Sequence, residues 1–517
     1  MHSLELQNLI EHPQESPALS LPPEILSPIL SLSGHSLLGP QSLRLAHVCR
    51  QWRQVLLRHS EYWVDVVSSS KLDQETNVAF LSFILARSSP RSIRLNSTCL
   101  YPSIATILAP NWHRVVFLSV TVLDEDQLRA LHAILQQPSS SSLHTLLVAS
   151  TSTNHDLYKT CLATLPHSTP PALRRLHCPI IYLPYIAASS LCHLEVSSWP
   201  GHPPEHDVAA QTLSRLFDSL AICTELETLS IYGPLADDIE NHPQHRIVHL
   251  RRLQKLFLRE NCSMRTHIIL STLSFGDTTT VNLDCYEWGH MIGLHEVLSH
   301  TRPSADAVCM TIRDARILTL DLLESGTPRV SAQFNARFQL PAEISRAFAA
   351  QPSIITLECS FEGKLPPPQS AAYWAMLLPG FPALTCLTVR RYDLLPLASG
   401  LAFALHPTGV APPLAELTVA WHAGEMADAL GAAGATSSTR VNTVAKALTV
   451  ALARRAEHGH MRPLARVELV EHDLSAAAGA ACDDARAPVQ EIEEVLAPLR
   501  ELVHGPVKFK EMAGPIA

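Results

Sequence analysis

The sequence predicts a mixed α/β protein: a small all-α N-terminal module, then an irregular repeat solenoid with a parallel sheet on its concave face. Three observations carry that expectation. Apolar residues recur at helical spacing between residues 21 and 63. From residue 90 onward, short runs of the form Leu-x-x-Leu-x-apolar recur along the chain. Between the runs lie segments with helix signals, and alternating helix and strand is the pattern of strands that lie parallel. At 517 residues the chain is too long for one ordinary core, which leaves several domains or a stacked array.

Residues 1–20 are polar, contain Pro13 and Pro17, and read as a mobile lead-in. Residues 21–66 read as the helical module. Leu21, Pro22, Pro23 and Glu24 mark a helix start, because proline fixes φ where N–H groups lack partners and Glu24 suits the positive end of the dipole. Ile25, Leu26, Ile29 and Leu30 form one apolar stripe. Pro28 lies inside that helix, where proline deletes a hydrogen bond at ~3 kcal/mol. The helix therefore either kinks or restarts with Ser27 as its cap. After a Gly/Ser/Pro-bearing connection over residues 31–41, Leu43, Leu45, Val48, Trp52, Val55 and Leu56 imply two further short helices.

These residues resemble the F-box, the helical module by which substrate receptors attach to the Skp adaptor of cullin-RING ubiquitin ligases. The resemblance rests on the LPPEIL opening with Ile29 and Leu30, then Leu45, then VCRQWR from Val48, and then Trp63. It implies adaptor contact at Leu21, Pro22, Pro23, Glu24, Ile25, Leu26, Ile29, Leu30, Leu45, Val48, Cys49 and Trp52.

The clearest repeat copies begin at Leu143 (LHTLLV), Leu173 (LRRLHC), Leu191 (LCHLEV), Leu226 (LETLSI) and Leu253 (LQKLFL), with later ones at Ile354, Leu384, Leu414 and Leu464. The alternating tail marks a strand, and the first leucine turns the chain into it. Many neighbouring copies lie about thirty residues apart, too far for hairpins. The motif resembles degenerate leucine-rich repeats: spacing is irregular, and one copy alone carries Asn at the turn position, Asn261. The solenoid is assigned to residues 90–472. The layout as a whole resembles F-box proteins with degenerate repeats of the kind abundant in fungi.

Between the strands, Asp124 to Gln127 is a variant capping box before Leu128, Leu131, His132 and Leu135. Residues 211–220, 341–350 and 441–455 read as helices, and residues 369–378 lead through Pro379 and Gly380 into the strand at Leu384. Residues 306–340 read as three strands with close turns, an antiparallel excursion or longer blade inserted between repeats. The Ala/Gly/Ser-rich stretches 424–439 and 475–487 read as loops. Within the final segment, 473–517, residues 489–504 read as a terminal helix capping the solenoid.

Catalytic signatures are absent: no Gly-x-Ser-x-Gly, no phosphate loop ending in Lys-Ser/Thr, no His-Glu-x-x-His. The 27 histidines have no metal-ligand spacing, and the densest pair, His458 and His460, reads as loop. A non-catalytic protein without cofactor or metal is expected. The net charge of −9 and the acids dispersed among arginine pairs argue against nucleic-acid or membrane partners. The 12 cysteines occur singly, as in a reducing compartment. The opening residues lack a secretory signal, and the apolar run 394–405 is too short to span a bilayer, so a cytoplasmic or nuclear location is expected.

Strand alternation places Arg175, His177, Glu195, Lys255, Phe257, Arg259, Arg390 and Glu416 on the concave face, a mixed surface suited to a protein target. The resemblance implies a substrate receptor whose partners are the Skp adaptor, through it a cullin-RING ligase, and a target protein. The alternative is a repeat scaffold without adaptor or ubiquitin role, its N-terminal helices serving as a cap.

Overall fold

A computed structural model of the chain describes residues 21–34, 44–45, 47–69, 71–72, 78–97, 99–137, 142–150, 172–198, 206–233, 247–287, 294–299, 305–313, 317–335, 340–349, 353–362, 374, 376–390, 413–422, 437–457, 464–473 and 489–513. These fall into two compact units, residues 1–253 and 254–517. The expected lead-in at 1–20, the histidines 458 and 460, the apolar run 394–405 and the loop at 475–487 lie outside the described residues.

The first unit opens with helices α1 (Pro23–Gly34), α2 (Arg50–Arg58) and α3 (Ser60–Ser69), the short strand β1 (Lys71–Leu72) and α4 (Val78–Arg87). Then come β2 (Ile93–Ser97), α5 (Pro102–Leu108), β3 (Val115–Val122), α6 (Glu125–Leu135), β4 (Thr145–Ser150) and β5 (Arg175–Pro179). The unit continues with α7 (Leu183–Ile186), β6 (His193–Ser197), α8 (His206–Ile222), β7 (Thr228–Tyr232) and β8 (Val248–Leu250). Strands β1 to β7 pair in chain order, every ladder parallel.

The repeat leucines explain that order. Leu95, Leu118, Leu146, Leu176, Leu194 and Leu229 stand in register on successive strands, none more than 2% exposed. The leading residues Leu143, Leu173, Leu191 and Leu226 are fully buried where the chain turns into each strand. Each such side chain contributes ~1.5–3 kcal/mol by leaving water, so slipping one strand by a residue would forfeit several at once. Two further strands follow the rule but start differently: β3 leads with Val115 and β2 with Ile93, which a search for leucine passes over. The capping box at α6 has formed, with Asp124 accepting from the Gln127 N–H at 2.9 Å while the Gln127 side chain accepts from the Leu123 N–H.

The second unit runs β9 (Lys255–Cys262), α9 (Ser263–Thr272), β10 (Leu273–Phe275), β11 (Thr280–Glu287), α10 (Leu294–Ser299), β12 (Ala307–Arg313), β13 (Ile317–Glu324) and β14 (Thr327–Asn335). It continues with α11 (Leu340–Phe348), β15 (Thr356–Glu362), β16 (Cys386–Arg390), β17 (Glu416–His422), α12 (Ser437–Glu457), β18 (Arg466–Asp473), α13 (Val489–Glu501) and β19 (Val507–Ala513). Pairing gives the spatial order β9, β11, β14, β13, β12, β15, β16, β17, β18, β19. Only β13 runs antiparallel to its neighbours. Past β11 the chain leaves a gap two strands wide, which β13 and β14 then fill on their way back. Ser325 and Gly326, both at positive φ (50° and 79°), make the two-residue turn that joins them, as a tight hairpin requires. The buried ladder runs unbroken through this excursion, from Leu256 by way of Val281, Val330, Leu322 and Val308 to Leu357, Leu387, Leu417, Val467 and Val507.

The chain's end differs from expectation. The helix read over 489–504 stops at Glu501, and β19 follows, extending the sheet beyond it. Its sequence, VKFKEMA, alternates over only four residues, Val507 to Lys510, so its apolar face is legible only against the buried ladder of β18. Residues 437–439, read as loop, are the first turn of α12.

Candidate functional site

The helical module packs around an apolar core that continues into α4 and β2. The Pro22 carbonyl accepts from the N–H groups of Ile25 and Leu26 at 3.0 and 3.1 Å, which starts α1 where the prolines predicted. The helix then runs through Pro28 as one element and does not restart at Ser27. Leu26, Leu56, Tyr62 and Trp63 are fully buried, and Trp52 nearly so. The Trp63 indole N–H donates to the Leu56 carbonyl at 2.8 Å, and its ring meets Phe83 of α4 edge-on at 5.3 Å. At the start of α2 the Cys49 sulfur accepts from the Trp52 N–H, and the Gln51 amide donates to the Leu21 carbonyl at 2.9 Å.

Residues on the outer side of α1 are left bare. Ile25 is 50% exposed, Ile29 37% and Val48 46%, with Pro22, Pro23 and Glu24 also exposed and Leu21, Leu45 and Cys49 half-buried. Ile25 and Ile29 are one helical turn apart and share a face; Leu26, about 100° further round, turns inward. Leu26 and Trp52, expected at the adaptor contact, are therefore core residues, and Cys49 is a helix cap. The side chain of Leu30 lies outside the described residues.

The module is fixed to the sheet behind it by polar contacts that sequence reading missed. The Arg114 guanidinium, buried just before β3, donates to the carbonyls of Arg91 and Leu85, the Asn111 side chain and the Ser88 hydroxyl at 2.8–3.1 Å. Burial pushes its pKa below the ordinary arginine value. Arg91 pairs with Glu61 at 2.6 Å, and Asn96 of β2 donates to the Ser68 carbonyl at 2.8 Å. A lone Arg in a Trp-His-Arg run carries no signal; only the turn around Ser88 gives it a role.

The target-face candidates lie opposite the buried leucines. Arg175, Lys255, Arg259 and Glu416 are exposed, while His177, Glu195, Phe257 and Arg390 are half-buried. In the first unit His177 meets Glu195 across neighbouring strands at 3.0 Å. In the second, Arg259 pairs with Asp284 at 3.3 Å and Arg390 with Glu358 at 3.0 Å. Arg466 and Lys510 both bind Glu468 at 2.5 Å. That face also carries Cys309, whose thiol is pushed up to about 11, by burial first and then by Glu358 and Asp321, against the opposing Arg390. A thiol so shifted stays protonated at neutral pH and is a poor nucleophile. Among the described residues no group of His, Cys, Asp and Glu is arranged to hold a metal, and no helix is long and apolar enough to cross a membrane.

Comparison with known proteins adds one finding. The F-box-like family model matches residues 18–68, which span α1, α2 and nearly all of α3. No curated protein matches the chain.

Proposed function

We propose that the chain is the substrate-recognition subunit of a Skp–cullin–F-box type ubiquitin ligase, docking on the Skp adaptor through its N-terminal module and holding a target protein on its sheet. The observation that carries this reading is the exposure of Ile25 and Ile29 on one face of α1, with Val48 exposed just before α2. Large apolar side chains left open to solvent on one helix face mark an interface. The F-box-like match over the same residues supports it, since F-box domains generally bind that adaptor. In this reading the sheet belongs to a degenerate leucine-rich-repeat solenoid, and the chain acts in the cytoplasm or nucleus. It catalyses no bond change itself: holding a target beside a conjugating enzyme raises the effective concentration.

The test is a binding titration of the purified full-length chain against the Skp adaptor. Wild type is expected to bind, and Ile25→Asp with Ile29→Asp to weaken binding roughly a hundredfold while leaving the melting temperature in place. Absence of wild-type binding, or undiminished binding by that variant, would favour a repeat scaffold in which the module only caps the first unit.

A further inference from the structure

We infer that the N-terminal half of the first unit's sheet face binds an acidic peptide segment, a reading that rests on the receptor function and names the chemistry of its target. The parallel register places Arg94, Phe117, Thr145, Arg175 and His193 side by side in one row across β2 to β6. Arg94 and Arg175 are both exposed. The Arg94 guanidinium lies over the Phe117 ring, 4.4 Å from its centroid, and among the described residues no carboxylate pairs with Arg94 or with Arg175.

Among the described residues of the second unit's sheet face, Lys255 and Lys508 carry no ion pair, but the arginines do. There Arg259, Arg390 and Arg466 on the sheet face are each neutralised by an acid of the same or an adjacent strand. In the first unit's next row the one acid, Glu195, lies 3.0 Å from the His177 ring nitrogen across the neighbouring strand. Two arginines in one row, neither paired with a carboxylate among the described residues, on a chain of net charge −9, offer a local positive surface that complements an anionic partner.

Geometry narrows the partner further. Arg94 and Arg175 stand three strand spacings apart, about 14 Å, which is the span of about four residues of an extended peptide crossing the strands. Between them, half-buried Phe117 and Leu147 offer an apolar seat on the same face. The fitting ligand is an extended segment with acidic side chains four positions apart around an apolar one. Planar guanidinium groups bind carboxylate or phosphate through paired hydrogen bonds, and an aromatic flanked by arginines is a common affinity anchor.

The full-length wild type and an Arg94→Ser, Arg175→Ser variant are used to select from a random twelve-residue display library. Wild type is expected to enrich Asp or Glu at positions four apart, and the variant to lose that enrichment. The selected peptide, followed by fluorescence anisotropy, should bind Arg175→Glu at least tenfold more weakly and recover when one of its acids is changed to Lys. Replacing the acids by phosphoserine assigns the source: tighter binding points to a phosphorylated target, equal or weaker binding to a constitutively acidic one, and either supports an anion seat. Equal acidic enrichment by wild type and variant, or none, overturns the inference, as does a single-stranded oligonucleotide that binds as tightly as the peptide. Adaptor binding is measured on the same preparations. Its absence with acidic selection intact sinks the receptor reading alone; its presence without acidic selection sinks only this inference.

Discussion

The Nη2 group of Arg114 donates to the Ser88 hydroxyl at 2.8 Å, joining the turn before β3 to the end of α4. Arg114 makes three other bonds to neutral acceptors nearby, so it holds the N-terminal helices onto the first strands of the sheet. Removing the guanidinium takes a donor from the Arg91 carbonyl, the Asn111 side chain and the Ser88 hydroxyl, while the Leu85 carbonyl keeps the Ser88 hydroxyl at 3.0 Å. Arg114→Leu is expected to lower stability by ~3 kcal/mol in chemical denaturation, and Arg114→Lys to recover little, because an ammonium cannot fork among four acceptors. A cost below that of substituting the exposed Arg94 would remove the anchoring role.

Ile25 and Leu26 are chain neighbours with opposite burial, one half exposed and the other fully buried. Leu26→Ala opens a cavity in the module core and should cost ~2–5 kcal/mol in stability. Ile25→Asp with Ile29→Asp should leave stability within about 0.5 kcal/mol and weaken adaptor binding roughly a hundredfold. Thermal melts beside adaptor titrations separate the two; if both variants unfold the protein, the patch belongs to the core.

Glu468 gives the second unit an acid-sensitive component. The hydrogen bond from Lys510 outweighs burial and, with Arg466, holds its carboxyl below the ordinary value of 4.5. A depressed folded-state pKa contributes stability that is complete above 4.5 and lost as pH falls through the lower folded value. Glu468→Gln should therefore lower stability at pH 7, with the gap from wild type narrowing as pH falls below 4.5. A gap that stays constant over that range would assign the loss to packing.

At Gly505 an added methyl group would overlap the Ala465 carbonyl. Because His504 also donates to the Leu464 carbonyl there, the chain must press close to β18 before β19 can pair. Gly505→Ala should cost ~2–3 kcal/mol and speed amide exchange along β19 more than along β16. Uniform exchange on both strands would remove the local explanation.

The regular parts of the fold were legible because burial repeats. LHTLLV, LRRLHC and LETLSI carry their strand address in three apolar positions, and the structure buries all of them. β2, β3 and β19 were harder, since Ile93, Val115 and Val507 occupy positions where the pattern asks for leucine. In the module, the stripe of Ile25, Leu26, Ile29 and Leu30 announced a helix without saying which residues face in. A run of adjacent apolar residues covers more of a helix than one interface uses.

By itself the sequence determined that an N-terminal helical module resembling an F-box is followed by alternating helices and parallel strands, because helical and strand periods are local properties of side-chain spacing. Tertiary structure alone decided that Leu26 and Trp52 turn inward while Ile25, Ile29 and Val48 stay bare. It also filled the gap between β11 and β12 with a returning hairpin. The same holds for charge: Arg175 and Arg390 look alike in sequence, yet only Arg390 finds a carboxylate across the sheet. Pairing is a matter of strand register, and register is set by burial of the opposite face along the whole ladder.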